Sequence, residues 1–184
     1  MSTTETLAPA NDVPAPRPVH PLSRALDPLA RLSLGLACVA LVGMAGAQAW
    51  QVFARYVLND SPGWTEPLAL LLMSFAVMFG AAVAVRRETH FAFQTLLHGL
   101  PGRPQWLLKS VSRLIAAASG AGLMLLGGTL MIDEWPVAMA GAPLPSGLKF
   151  AGLSIGGALI LLFAVERLLT GDYRAPDAPA GAED

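Results

Sequence analysis

Long runs without a charged residue dominate the hydrophobic pattern of the chain. Three of them hold 23, 19 and 19 residues, at 32–54, 67–85 and 114–132. At about 1.5 Å of rise per residue, helices of this length cross the roughly 30 Å hydrocarbon core of a bilayer. A fourth run, 150–165, spans it if Lys149 and the Glu166–Arg167 pair direct their charges to the membrane surfaces. The pattern predicts an all-α integral membrane protein with four transmembrane helices, at about 32–54, 67–85, 110–132 and 146–169.

The predicted membrane domain covers residues 29–170 and lies between two tails. Residues 1–28 are rich in Pro and Ala, and residues 171–184 have a similar composition. Such segments bury too little apolar area to offset chain entropy, so both are expected to be disordered. A cleavable signal peptide is the alternative for the first run, because Ala45–Ala47 resembles a cleavage site. The apolar run continues past that site, which favours a membrane span.

The basic residues are distributed unequally between the two predicted sides of the membrane. Four spans place both termini and the connection between spans two and three on one side. That side holds ten of the 12 Lys and Arg residues: Arg17, Arg24, Arg31, Arg86, Arg87, Arg103, Lys109, Arg113, Arg167 and Arg174. The other side has Arg55 and Lys149. The positive-inside rule therefore predicts cytoplasmic N- and C-termini.

The connection between spans two and three has a short helical pattern of its own. Phe93, Leu96, Leu97 and Leu100 follow an i, i+3, i+4, i+7 spacing, and Pro101 ends it. This predicts a short helix in the plane of the membrane interface. A solvated loop with chance periodicity is the alternative.

Composition and motifs exclude several functional classes. The chain is 54% hydrophobic and 14% charged, so an ordinary soluble enzyme is not expected. Its net charge of −1 gives no basic excess for binding nucleic acid. The three histidines lie outside the spans, so no intramembrane haem site is available, and the single cysteine excludes a Cys-based zinc site. We predict a protein that is not an enzyme and has no cofactor or metal.

Small residues recur at helical spacing within the spans. The pairs Gly43/Ala47, Ala118/Gly122 and Gly152/Gly156 are each four residues apart, so each pair shares one helix face. Small residues let another backbone approach closely in a membrane. They predict tight helix contacts, either within the chain or with another subunit.

The junction between the first two spans is the most informative stretch. Arg55, Tyr56 and Trp64 are typical of residues that anchor helix ends at a membrane interface. Glu66 falls in the first turn of span two, where the helix dipole favours a carboxylate. Arg86 and Arg87 close that span at its other end. Anchoring and capping alone account for these residue types.

The same residues resemble a known family. The run Phe53-x-Arg-Tyr-Val-Leu-Asn-x-Ser-x-x-Trp-x-Glu66, followed by Gly80-Ala-Ala-x-Ala-Val-Arg-Arg-x-x-His90, is similar to the DctQ-type small membrane subunit of tripartite ATP-independent periplasmic (TRAP) transporters. The resemblance implies a small subunit of an ion-gradient-driven importer in the bacterial inner membrane, with sodium as the expected ion. Its implied partners are a large multi-span permease subunit and a periplasmic binding protein that delivers a carboxylate-containing solute.

The resemblance also implies where the subunit interfaces lie. The candidate residues for interface and assembly are Arg55, Tyr56, Asn59, Trp64, Glu66, Arg86, Arg87 and His90. Arg55, Trp64 and Glu66 are expected to organise the periplasmic surface, and the last three residues to face the cytoplasmic interface and membrane lipid head groups. Two other functions remain open. One is the small subunit of a tricarboxylate-type carrier, and the other is a stand-alone four-helix scaffold or sensor.

Overall fold

Four long helices make up the described part of the computed structural model of the chain. It describes residues 21–60, 62–87 and 102–171, with side chains from 108 onward in the last range. The helices are α1 (Pro21–Tyr56), α2 (Thr65–Arg87), α3 (Gly102–Asp133) and α4 (Leu148–Thr170). All four are long and apolar enough to cross a membrane. The predicted all-α class and the four helices are confirmed, and within these ranges no β-strand forms.

The first helix is longer than its uncharged run. It begins at Pro21, so residues 21–28, which the sequence pattern assigned to the disordered tail, are helical. A hydropathy pattern misses these turns because Arg24, Asp27 and Arg31 interrupt the apolar sequence. The inner side chains Leu26 and Leu29 nevertheless pack against the bundle core, which stabilises the helix there.

The helices pack as a bent row in the order α1, α2, α4, α3. The extensive contacts join α1 to α2, α2 to α4, and α4 to α3, and α1 meets α4 lightly. Along the helix axes, the bundle has two ends. One of them, which we call the basic end, contains Arg86 at the end of α2 and Arg167 at the end of α4. The other, the loop end, contains the α1–α2 connection (57–64) and the α3–α4 connection (134–147). Helices α1 and α2 are therefore antiparallel, as are α4 and α3, whereas α2 and α4 run parallel to each other.

Small side chains line one seam of α1 along its whole length. The buried residues follow one another at intervals of three, four or seven residues, which keeps them on one face. They are Ser23, Asp27, Ala30, Ser33, Ala37, Ala40, Ala47 and Ala54. Alanine and serine let α2 approach closely, and van der Waals contact of this kind stabilises helix pairs in a membrane.

Two of the three predicted small-residue pairs make contacts within the chain. A Cβ at Gly152 would lie 2.5 Å from Ser74 Oγ, and Gly156 lies directly against Met78, so this pair joins α4 to α2. A Cβ at Gly43 would lie 3.3 Å from Leu72 of α2. These positions are therefore used for packing inside the subunit.

The third pair, Ala118/Gly122, is not part of the α3–α4 contact. Within the described chain, no atom beyond the adjacent helix backbone comes within 4 Å of a Cβ built at Gly122. The contact uses other glycines of α3 and one of α4. A Cβ at Gly120 would lie 2.6 Å from Leu161 N, and one at Gly157 would lie 2.5 Å from Met124 N. Glycine at these positions lets the two backbones touch.

The bundle core lies towards the basic end. Ala30, Ala82, Ile160 and Phe163 are buried together, and they come from α1, α2 and α4. The three helices therefore meet in this layer. The predicted interfacial helix around Phe93–Leu100 lies outside the described residues, and the cytoplasmic placement of the termini stays a prediction.

Candidate functional site

Five of the predicted site residues lie together at the loop end. Helix α1 ends at Tyr56, and Asp60 N–H donates to Ala54 O at 3.1 Å as the chain turns back. The turn includes Asn59 in the left-handed region, with φ of 55°, a conformation that asparagine tolerates better than most residues. Arg55, Tyr56 and Asn59 are exposed, and Tyr56 has 80% of its surface accessible.

The start of α2 presents the other two residues of this group. Thr65 is buried and donates from Oγ1 to Pro62 O at 2.9 Å, which joins the first residue of the helix to the preceding turn. Trp64 and Glu66 flank Thr65 and are exposed. The local fold thus directs Trp64 and Glu66 away from the bundle, so both side chains are accessible to a partner.

The α3–α4 connection completes the surface of the loop end. Ala138 and Pro145 form an isolated antiparallel bridge, and Met139 N–H donates to Leu144 O at 2.8 Å. Gly141, with φ of 83°, lies directly against Gly63, which joins this connection to the α1–α2 connection. No site residue was predicted in this connection, but Trp135 is exposed. Trp64 and Trp135 therefore both lie on this end of the protein.

A buried charge cluster organises the basic end. The guanidinium of Arg86 donates from Nε to Glu166 Oε2 at 3.0 Å and from Nη2 to Glu166 Oε1 at 3.3 Å. It also donates from Nη1 to Asp27 Oδ1 at 3.2 Å and from Nη2 to the Ser23 carbonyl at 2.7 Å. Arg86 is 0% exposed and Glu166 is 2% exposed. One arginine of α2 thereby joins α1 and α4.

Further contacts hold the Arg86 cluster in place. The buried Arg167 donates from Nε to the Arg86 carbonyl at 2.6 Å. The Arg86 guanidinium also lies over the ring of Phe163, 5.6 Å from its centroid, a distance typical of a cation–π contact. Phe163 belongs to the apolar core, so the charged cluster lies directly on the layer where α1, α2 and α4 meet.

The buried cluster corrects three predictions made from the sequence. Arg86 does not reach lipid head groups or a partner surface in this structure, because its side chain is enclosed. Glu166 and Arg167 do not extend to the membrane surface either, since both are buried. A buried ion pair avoids a large desolvation penalty only when both charges are paired and hydrogen-bonded, and Arg86 and Glu166 satisfy that condition. Arg87 is half-buried, and His90 lies outside the described residues.

The buried cluster is suited to holding helices together, and the loop end presents exposed polar and aromatic side chains. In the described ranges, no group of three or more His, Cys, Asp or Glu side chains is arranged to hold a metal ion. The Arg86 cluster is enclosed, so it offers no open position for a solute. The exposed residues of the loop end are the accessible part of the predicted site.

Comparisons with known proteins identify the family. Residues 44–172 match the model of the DctQ component of tripartite ATP-independent periplasmic transporters. The chain is also 30% identical over 78 residues to the sialic acid TRAP transporter small permease protein SiaQ of Vibrio cholerae serotype O1. That alignment covers 42% of the chain and 45% of SiaQ, so less than half of the relative is matched. The match to the family model covers most of the chain, and it includes both the loop-end residues and the α2–α4 part of the Arg86 cluster. The chain therefore belongs to the DctQ family, the small permease component of TRAP transporters.

Proposed function

We propose that this small permease supports a large multi-span permease subunit in a secondary importer driven by an ion gradient. Sodium is the proposed coupling ion, and a carboxylate-containing solute delivered by a periplasmic binding protein is the proposed cargo. One observation carries this proposal. The uncharged runs of the four helices contain no Asp, Glu, Lys, Arg or His, and the Arg86 cluster is enclosed at one end. Coupling-ion and solute sites in transporters usually need polar or broken-helix groups at mid-membrane, so we place them in the large subunit.

The proposal assigns the loop end to the periplasm and the basic end to the cytoplasm of a bacterial inner membrane. The support is the unequal distribution of Lys and Arg, ten of 12 of which lie on the side of the termini. Fusions to the C-terminus test the orientation. We expect a fluorescent protein to mature there and an alkaline phosphatase to stay inactive. An active phosphatase would reverse the assignment.

We further propose that Arg55, Tyr56, Asn59, Trp64 and Glu66 organise the loop end for the large subunit or the binding protein. Arg55 and Glu66 are exposed in the isolated chain, so neither is needed to fold the bundle. Fewer than about 30% of interface residues cost more than about 1 kcal/mol of binding when truncated to alanine, and we assign Arg55 and Glu66 to this group. Each of Arg55→Ala and Glu66→Ala should therefore lower the amount of co-purified large subunit, or solute uptake, about fivefold or more.

The experiment separates assembly from insertion. The small and large subunits are co-expressed, and co-purification, uptake and membrane abundance of the small subunit are measured for each variant. Lys149→Ala is the matched control, since Lys149 also lies at the loop end but rests over the ring of Phe150. We expect all three variants to insert normally and only Arg55→Ala and Glu66→Ala to lose co-purification or uptake. Normal assembly and normal uptake in both would refute the role of these residues.

Co-purification also tests the alternative of a stand-alone scaffold or sensor. The proposed function requires that a large polytopic protein accompany the wild-type chain from native membranes. A homogeneous small subunit that purifies alone, together with unchanged uptake after its deletion, would favour the stand-alone role.

A further inference from the structure

The first three turns of α1 carry a basic face that the site described above does not use. Residues Pro21–Arg31 precede the uncharged run that begins at Leu32. The rotation of this segment is fixed, because Ser23 and Asp27 bond to Arg86 and because Leu26 and Leu29 pack against the core. One side of the segment therefore packs against the bundle.

The exposed side next to Asp27 presents two arginines. Arg24, Pro28 and Arg31 are spaced four and three residues apart, so they share a helix face, and all three are exposed. Arg24 and Arg31 are two turns, or about 10 Å, apart along the helix axis. The side chain of Arg31 donates to Asp27 Oδ2 at 2.9 Å and still has 69% of its surface accessible. This contact holds the Arg31 guanidinium close to the helix while leaving it open to a ligand.

The residues that follow this face along α1 indicate how deep it lies in the membrane. Beyond Arg31, α1 continues into Leu32, Leu36 and Val39, which are exposed apolar side chains. In a spanning helix such side chains contact lipid tails, so the two arginines lie where the tails give way to head groups. The acid nearest this face, Asp27, is directed to Arg86 and Arg31 rather than outward.

We propose that Arg24 and Arg31 form a binding face for the phosphate of an anionic phospholipid. A guanidinium presents a planar fork of donors that matches phosphate oxygens, and charge complementarity favours an anionic head group over a zwitterionic one. The apolar strip from Leu32 onward accommodates the acyl chains. The Arg86 cluster acts at a distance by fixing which side of α1 faces the bilayer.

The test measures lipid binding to the purified full chain by native mass spectrometry. Phosphatidylglycerol and phosphatidylcholine are titrated separately against the wild type, Arg24→Gln/Arg31→Gln and Arg24→Lys/Arg31→Lys. A basic residue near an anionic surface contributes about fivefold in affinity. We expect the wild type to prefer phosphatidylglycerol, the glutamine variant to lose about tenfold or more of that preference, and the lysine variant to keep much of it.

The control removes two bases at the loop end, with Arg55→Gln/Lys149→Gln. Asp60, Glu66, Asp133 and Glu134 give that end an excess of acids, so this variant should keep the wild-type preference. Equal binding of the two lipids by the wild type, an unchanged preference in the glutamine variant, or an equal loss in the control would each overturn the proposal.

Circular dichroism checks folding, and the single variants Arg24→Gln and Arg31→Gln replace the double variant if it loses helicity. If the glutamine variant binds lipid as the wild type does but no longer co-purifies with the large subunit, the face binds a protein partner. That result would also overturn the proposal.

Discussion

Replacing Arg86 with glutamine should destabilise the bundle more than any other single loss of charge at the basic end. In the described chain, both hydrogen bonds to the Glu166 carboxylate come from Arg86. Without Arg86, the carboxylate stays buried with its charge uncompensated, and Asp27 and the Ser23 carbonyl each lose a donor. Breaking a buried pair in this way costs about 3–5 kcal/mol. At about 2–4 °C per kcal/mol for a chain of this size, Tm should fall by roughly 6–20 °C.

Two further variants test whether the uncompensated charge of Glu166 causes the loss of stability in Arg86→Gln. Arg31→Gln also removes a cation from Asp27, but its guanidinium is exposed, and an exposed pair contributes about 0–1 kcal/mol. The double variant Arg86→Gln/Glu166→Gln removes both charges of the buried pair, and Asp27 keeps Arg31 as its cation partner. We expect Arg31→Gln to unfold close to the wild type, and the double variant to recover a large part of the stability lost in Arg86→Gln.

Thermal unfolding in detergent, followed by far-UV circular dichroism and by the fraction of monodisperse protein, measures these differences. Glu166→Gln alone completes the double-mutant cycle. If Arg86→Gln unfolds within a degree or two of Arg31→Gln, the buried cluster does not stabilise the bundle. If the double variant is as unstable as the sum of the single ones, the loss comes from packing rather than from an uncompensated charge.

Substitutions at four positions test the backbone contacts. Gly157→Ala should lower the free energy of unfolding by about 1–3 kcal/mol because its Cβ would meet the Met124 backbone, whereas Gly122→Ala, on an open face of α3, should be close to neutral in the same thermal assay. Gly141→Ala should lower Tm and increase proteolysis of the loop end, because φ is 83° and the Gly63 backbone lies against it. Asn59→Gly should retain wild-type stability and Asn59→Val should lose about 1–2 kcal/mol, since φ is 55°; equal Tm values would contradict the left-handed turn.

The four helices were predictable because the bilayer imposes a length on uncharged runs. Each predicted span lies within or close to a helix of the structure, and the differences occur at helix ends. Helix α1 begins 11 residues before Leu32, at Pro21, and α3 begins at Gly102 rather than near 110. Those turns contain charged residues, so hydropathy does not detect them. In α1, tertiary contacts made by Leu26, Leu29 and Asp27 stabilise them instead.

The buried cluster was not predictable from the position of its residues alone. An arginine or glutamate one turn inside a helix end can extend to the membrane surface or turn into the bundle, and both options have the same sequence pattern. The seam of Ser and Ala on α1 was the available signal. Asp27 falls on that seam, between Ser23 and Ala30, and a carboxylate among small buried residues requires a cation from a neighbouring helix. The exposed residues of the loop end were easier to predict, because aromatic and charged side chains at a span boundary are typical of an accessible surface.

Different contacts hold the helices in place at the two ends of the bundle. At the basic end, Arg86 and the core layer below it join three helices, and at the loop end the Gly63–Gly141 contact joins the two connections. Between the ends, much of the outer surface of α1 and α3 carries exposed apolar side chains. A chain fixed at both ends can present such faces to lipid or to a large subunit without rearranging. This property suits a supporting subunit, because a helix that packs against it meets a surface of defined shape, and less conformational entropy is lost on assembly.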